Sequence, residues 1–200
     1  MSERAPAARR GVAGRLRGGW TGWLPLLLYA ALCAVAFPLV PTVAALLRAS
    51  SVGRHVLDWG AAYAFTAILL WWGARAGSGG RWWNGRSGGG RHWRRLALVG
   101  TLAGGLMLGV ADGPVDRLHL PQYALLVLLL AAVLASPWHA LGIAGIVGIG
   151  DELAQRMIPG RVFDWWDVLL NALGALLGMA VLLAAAPPAA GRAEARRPAD

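Results

Sequence analysis

The chain has no lysine; all nineteen of its basic residues are arginine. That bias fits a GC-rich coding sequence better than any chemistry, and no functional weight is placed on it. Its single cysteine, Cys33, sits inside an apolar stretch, which excludes an internal disulfide or a zinc cluster and leaves nothing pointing to redox work. Charge is scarce: 14% of residues are charged and 57% are hydrophobic, whereas soluble domains carry about a quarter charged residues. Together with a mean hydropathy of +0.52, this composition excludes an ordinary soluble fold. The excess of arginine gives a net charge of +9, but long apolar segments separate the arginines. The charge therefore reads as a topology signal and an attraction to anionic lipid, and nucleic acid is not expected as a partner. The sequence also lacks a Ser or Cys nucleophile motif and an evident inverted repeat, so neither an acyl-transfer enzyme nor a repeat-built transporter is indicated.

What is present is a series of apolar runs approaching the length of about 20 residues that a membrane span needs. They cover residues 21–47, 56–74, 96–111, 119–135, 138–150 and 165–186. The first contains Pro25, Pro38 and Pro41, which predicts a kinked helix or one that ends near Pro38. Only Ser136 and Pro137 separate the fourth run from the fifth, so these two should be antiparallel neighbours. The N-terminus imitates a secretory signal, with basic residues, an apolar core and small residues at 43–45. Its apolar part is longer than a signal core, which favours a retained first helix. The expected fold is an all-α, polytopic membrane helix bundle of about six transmembrane helices, or five if the first is removed.

Sidedness follows from the arginines. With the N-terminus cytoplasmic, fourteen fall inside and five outside (Arg48, Arg54, Arg117, Arg156 and Arg161), which obeys the positive-inside rule. Both termini are then cytoplasmic. The expected organisation is a basic arm at 1–19, three N-terminal spans within 20–111, a second unit at 112–186 and a disordered tail at 187–200. A Gly/Arg/Trp loop at 75–95 fits a cytoplasmic segment lying on anionic headgroups. The bacterial cytoplasmic membrane is the expected location, and membrane lipids are the expected partners.

Acids are scarcer than bases, yet four of the ten lie in "DELAQRMIPGRVFDWWD", residues 151–167. On a helix continuing past Gly150, Asp151 and Glu152 adjoin Gln155 at spacings of four and three. In the last run Asp164, Asp167, Asn171, Gly174 and Gly178 follow at offsets of three, seven, ten and fourteen, which traces one helical stripe. Gly174 and Gly178 form a small-xxx-small pattern suited to close helix packing, and Asp164 suits a helix cap. Asp167 lies inside the run, where a charge costs about 2.5–3.5 kcal/mol, so it should pair with a cation or line a wet cavity. Arg161, Arg156 and Arg117 are the arginines on that face. A second polar patch, Asp116, Arg117, His119, Gln122 and Tyr123, opens the fourth run at the same outer level.

These patches, in this order, resemble the VanZ-like family of bacterial membrane proteins, named for an accessory teicoplanin-resistance protein. Asp116, Arg117, His119 and Tyr123 look like its first segment. Asp151, Glu152 and Gln155 look like the second, Pro159 and Arg161 like its turn, and Asp164, Asp167, Asn171, Gly174 and Gly178 like the last. The resemblance covers about residues 112–180, within the 112–186 unit; the first half departs in its spacing and in having Gln122 where Glu is common. It implies an envelope protein that affects glycopeptide susceptibility or handles envelope precursors through an outward cluster, without a defined mechanism, cofactor or metal. The alternative from the residues themselves is an intramembrane enzyme acting on a lipid-linked or phosphate-bearing substrate, with carboxylates and His119 as acid and base.

Overall fold

The computed structural model describes residues 20–77, 91–111, 113, 115–134, 136–158 and 161–186. The expected N-terminal arm, most of the 75–95 loop, Asp112, Pro159 and the C-terminal tail lie outside the described residues. The described residues are helical, with no strand among them: α1 (Trp20–Arg48), α2 (Ser51–Gly77), α3 (Arg91–Gly109), a 3-10 turn (Asp116–Leu118), α4 (His119–Leu134), α5 (Pro137–Gln155) and α6 (Trp165–Ala185). α1 does not end near Pro38 but continues ten residues further, to Arg48. Two segments, Asp116–Leu134 and α6, are long and apolar enough to cross a membrane.

Local chemistry fixes the ends that matter. The Ser136 hydroxyl accepts from the His139 backbone N–H at 3.3 Å, and Pro137, which has no N–H to satisfy, takes the first helical position of α5. This starts α5 directly after α4 and turns it back alongside. At the other end of α5 the backbone tightens, with Met157 N–H donating to Ala154 O and Ile158 N–H to Gln155 O, and the chain leaves the helix there. Asp164 then caps α6, its carboxylate accepting from Trp166 N–H at 2.7 Å.

α4 and α6 form the tightest helix pair, and glycine explains it. A methyl group at Gly174 would sit 2.7 Å from the Leu120 carbonyl oxygen and one at Gly178 would sit 2.5 Å from that of Ala124, so only glycine lets the two backbones approach this closely. On one side of this pair, Phe65 of α2 and Leu96, Ala103 and Met107 of α3 complete a buried core with Leu120, Leu128 and Val181. On the other, Ala140 and Ala144 of α5 pack with Tyr123, Val127 and Ala175. Large apolar side chains also point outward, among them Leu28 and Leu32 of α1, Leu98 of α3 and Ile146 of α5. In water they would form exposed apolar surface beyond the few hundred Å² usual for soluble monomers. Facing lipid they cost nothing, as expected of a membrane protein.

Candidate functional site

Because α4 and α5 are antiparallel, as are α5 and α6, the start of α4, the end of α5 and the start of α6 meet at one end of the bundle. Asn171, 2% exposed, joins all three. Its Nδ2 donates to the Gly148 carbonyl of α5 at 3.3 Å, which turns its Oδ1 toward His119 of α4. His119 Nδ1 therefore donates to Asn171 Oδ1, at 2.7 Å. That leaves the other ring nitrogen, Nε2, facing Asp167 Oδ1 at 3.8 Å, an electrostatic contact longer than a hydrogen bond. An amide thus orients a histidine whose free nitrogen is aimed at a carboxylate, the arrangement by which a partner on one ring nitrogen sets the chemistry of the other.

One helical turn further along α4, the buried Tyr123 hydroxyl donates to Asp151 Oδ2 at 3.2 Å. Gly148 makes room for both pairs, because a methyl there would lie 3.0 Å from Asn171 Cβ and 3.3 Å from Tyr123 Cε1. Glu152, next to Asp151, is fully buried at 0% exposure. Its Oε1 accepts from Gln155 Nε2 at 2.6 Å, while its Oε2 is buried without a full hydrogen bond among the described residues, the Asp164 backbone lying near the carboxylate. Glu152 lies past the apolar run that ends at Gly150. Burial, followed by the Asp167 carboxylate, pushes its carboxyl up to about 7.

The structure thus brings together His119, Asn171, Asp167, Glu152 and Gln155, and beside them Tyr123 and Asp151. Other residues singled out in the sequence lie around this set, and the charges of Asp116, Asp164 and Arg161 act on Asp167. Arg117 turns away to the Asp58 carbonyl of α2, at 3.2 Å; Asp164 is exposed at the helix cap; Asp116 is half-buried in the 3-10 turn; and Arg161 is half-buried ahead of α6. Gln122 faces α1, its backbone carbonyl accepting from the Tyr29 hydroxyl at 2.9 Å. His119 has entered α4 and faces Asp167; of the expected arginines, Arg161 lies close enough to act on Asp167 electrostatically, whereas Arg117, which precedes α4, reaches α2. Among the described residues no group of three or more His, Cys, Asp or Glu is placed to hold a metal ion. Sequence reasoning passed over Tyr29, Cys33 and Gly148. The available signal for the first two was their spacing of four, which puts a tyrosine and a thiol on one face of α1.

Residues 116–186 match the VanZ/LLP1 family model. No curated protein and no solved structure matches the chain. The matched stretch runs from the 3-10 turn through the end of α6, so it contains the His119, Asn171 and Asp167 constellation and the glycines that seat it. Over residues 116–186 the chain is therefore similar to the VanZ/LLP1 family, and the match lies over the helices that build this site.

Proposed function

We propose that the protein is a multi-pass component of the bacterial cytoplasmic membrane, with six spans and both termini in the cytoplasm, that alters glycopeptide susceptibility through the polar cluster at the outer ends of α4, α5 and α6. The observation carrying this reading is the fully buried Glu152 carboxylate beside the His119, Asn171 and Asp167 set, inside the family-matched stretch. Burying such groups beside apolar helices is costly, and a buried cluster of ionisable residues is a candidate functional site. Burying one carboxylate oxygen without a full hydrogen bond adds to that cost.

The test uses a glycopeptide-sensitive Gram-positive host expressing the protein. Teicoplanin and vancomycin susceptibilities are compared for wild type, Asp151→Asn and Asp167→Asn at matched membrane abundance. The expected result is a teicoplanin-selective gain in resistance that either substitution abolishes. Unchanged susceptibility with the protein present in the membrane overturns the reading.

A second reading, an intramembrane enzyme acting on a lipid-linked or phosphate-bearing envelope substrate, draws on the same His119 geometry. A fixed Nδ1 donor and an Nε2 that faces Asp167 beyond hydrogen-bond distance are what this reading draws on. Turnover of envelope lipid that depends on His119, in membranes without any drug, would favour it.

A further inference from the structure

A cavity of about 360 Å³ lies between α1, α4 and α5, at the lower end of the range of about 300–1,000 Å³ for small-molecule sites. Its lining runs from Gln122 to Leu130 on α4 and from Ile143 to Asp151 on α5. Eight residues of helix make a slot about 12 Å long, parallel to the helix axes. Since α4 and α5 run in opposite directions, Leu130 and Ile143 share its deep end and Gln122, Tyr123 and Asp151 share the other. α1 follows the same gradient, with Leu26 deep and Cys33 beside Gln122, Sγ to Nε2 4.0 Å. The slot is therefore apolar along its floor and polar at the end where the candidate site lies.

Among the described residues, Asp151 is the one charged residue in this lining. Tyr123 occupies one of its oxygens, which leaves the second as an acceptor at the mouth. We propose that the slot binds a single-chain amphiphile bearing an ammonium group, its chain against Leu26, Leu130 and Ile143 and its head at Asp151. An anionic head would meet the like charge of Asp151 there. The slot faces α1, away from the contact between His119 and Asp167, so the proposal stands whether or not the protein alters drug susceptibility.

Cys33 provides the probe, being both the sole cysteine and part of the lining. The full-length protein in phosphatidylcholine vesicles is alkylated with N-ethylmaleimide, and the rate is read by intact mass, with dodecylamine or dodecanoate present. Protection scales as one plus ligand over Kd, so dodecylamine at ten times its half-protecting concentration should slow Cys33 modification about tenfold. Dodecanoate at the same concentration should slow it less than about twofold by the same relation, and Asp151→Asn should make the two amphiphiles alike. Val147→Trp, at a half-exposed wall position, fills the slot with Asp151 intact and should remove protection by dodecylamine. A cysteine at the exposed Ala49 position in a Cys33→Ala background reports any general effect on the reagent and should be unaffected. Equal protection by both amphiphiles, protection that survives Asp151→Asn unchanged, or no protection by either overturns the proposal.

Discussion

Replacing Gly178 by alanine should destabilise the protein, although alanine is the better helix former. The added Cβ would stand 2.5 Å from the Ala124 carbonyl oxygen and 2.9 Å from Ala124 Cα, where ordinary contact begins at 3.4 Å. At Gly174 the distances are 2.7 Å and 2.8 Å, to the Leu120 and His119 carbonyl oxygens. All of these neighbours are backbone atoms of α4, which cannot rotate away. α4 and α6 must therefore part by up to 0.9 Å at Gly178 and 0.7 Å at Gly174. Overpacking of this kind costs about 1–3 kcal/mol, and the gain in helix propensity returns about 1 kcal/mol at most. A net loss of roughly 1–2 kcal/mol per site is expected, with the double variant costing less than the sum because the first separation relieves the second. At about 2–4 °C per kcal/mol for a chain this size, the midpoint for loss of the monodisperse detergent-solubilised species on heating should fall by several degrees. Gly142 and Gly145, where a methyl would meet nothing within 4 Å, supply the opposite sign: alanine there should leave the midpoint unchanged or raise it. If Gly178→Ala raises the midpoint as Gly142→Ala does, the close approach of α4 and α6 is not what glycine serves.

Asn171→Leu keeps the volume but leaves His119 Nδ1 without its acceptor, which should cost about 1–3 kcal/mol; an unchanged thermal midpoint would reduce Asn171 to a space filler. Glu152 gives a pH dependence of defined sign. Its folded carboxyl holds a proton up to about 7 against an ordinary 4.5, so its contribution to stability is complete below 4.5 and is lost as pH rises to about 7. Wild type should therefore lose more midpoint between pH 5 and pH 8 than Glu152→Gln does, and parallel curves would refute the burial of that charge. For topology, a cysteine at the exposed Met157 position in a Cys33→Ala background should react with an impermeant thiol reagent added outside intact cells. Reaction only after lysis would invert the proposed orientation.

Much of the helical half of this fold is local and was therefore legible. The turn residues Ser136 and Asp164 announce the starts of α5 and α6 because each hydrogen-bonds within its own first turn. The offsets joining Asp167, Asn171, Gly174 and Gly178 place them on one face by the helical period alone. What that face meets is not local. Counting charges suggested arginines near Asp167, and Arg161 does act on it, but only the backbone direction at the 3-10 turn shows that Arg117 goes to α2 and that His119 faces the carboxylate. Nor could spacing within α4 reveal that Tyr29 and Cys33, about ninety residues earlier, would face Gln122. Proline left two readings of α1, a kink or an end near Pro38, and only the structure decides against the end, because the helix continues to Arg48.

Asp151 and Glu152 show how two like charges can be neighbours in sequence and serve different surroundings. Successive helical residues point about 100° apart, so Asp151 faces Tyr123 and the slot beside α1, whereas Glu152 turns toward His119, Asp167 and the start of α6. Tyr123 and Asn171 both flank Gly148, where a methyl would lie 3.3 Å from the tyrosine ring and 3.0 Å from Asn171 Cβ. A ligand that draws Asp151 away from Tyr123 releases the tyrosine hydroxyl, and the ring then has Gly148 and Asn171 as its nearest constraint. Asn171 is also what orients His119. The slot and the polar site are thus separated by one glycine and one shared ring, and the absence of a side chain at Gly148 is what keeps the two hydrogen-bonded pairs in register.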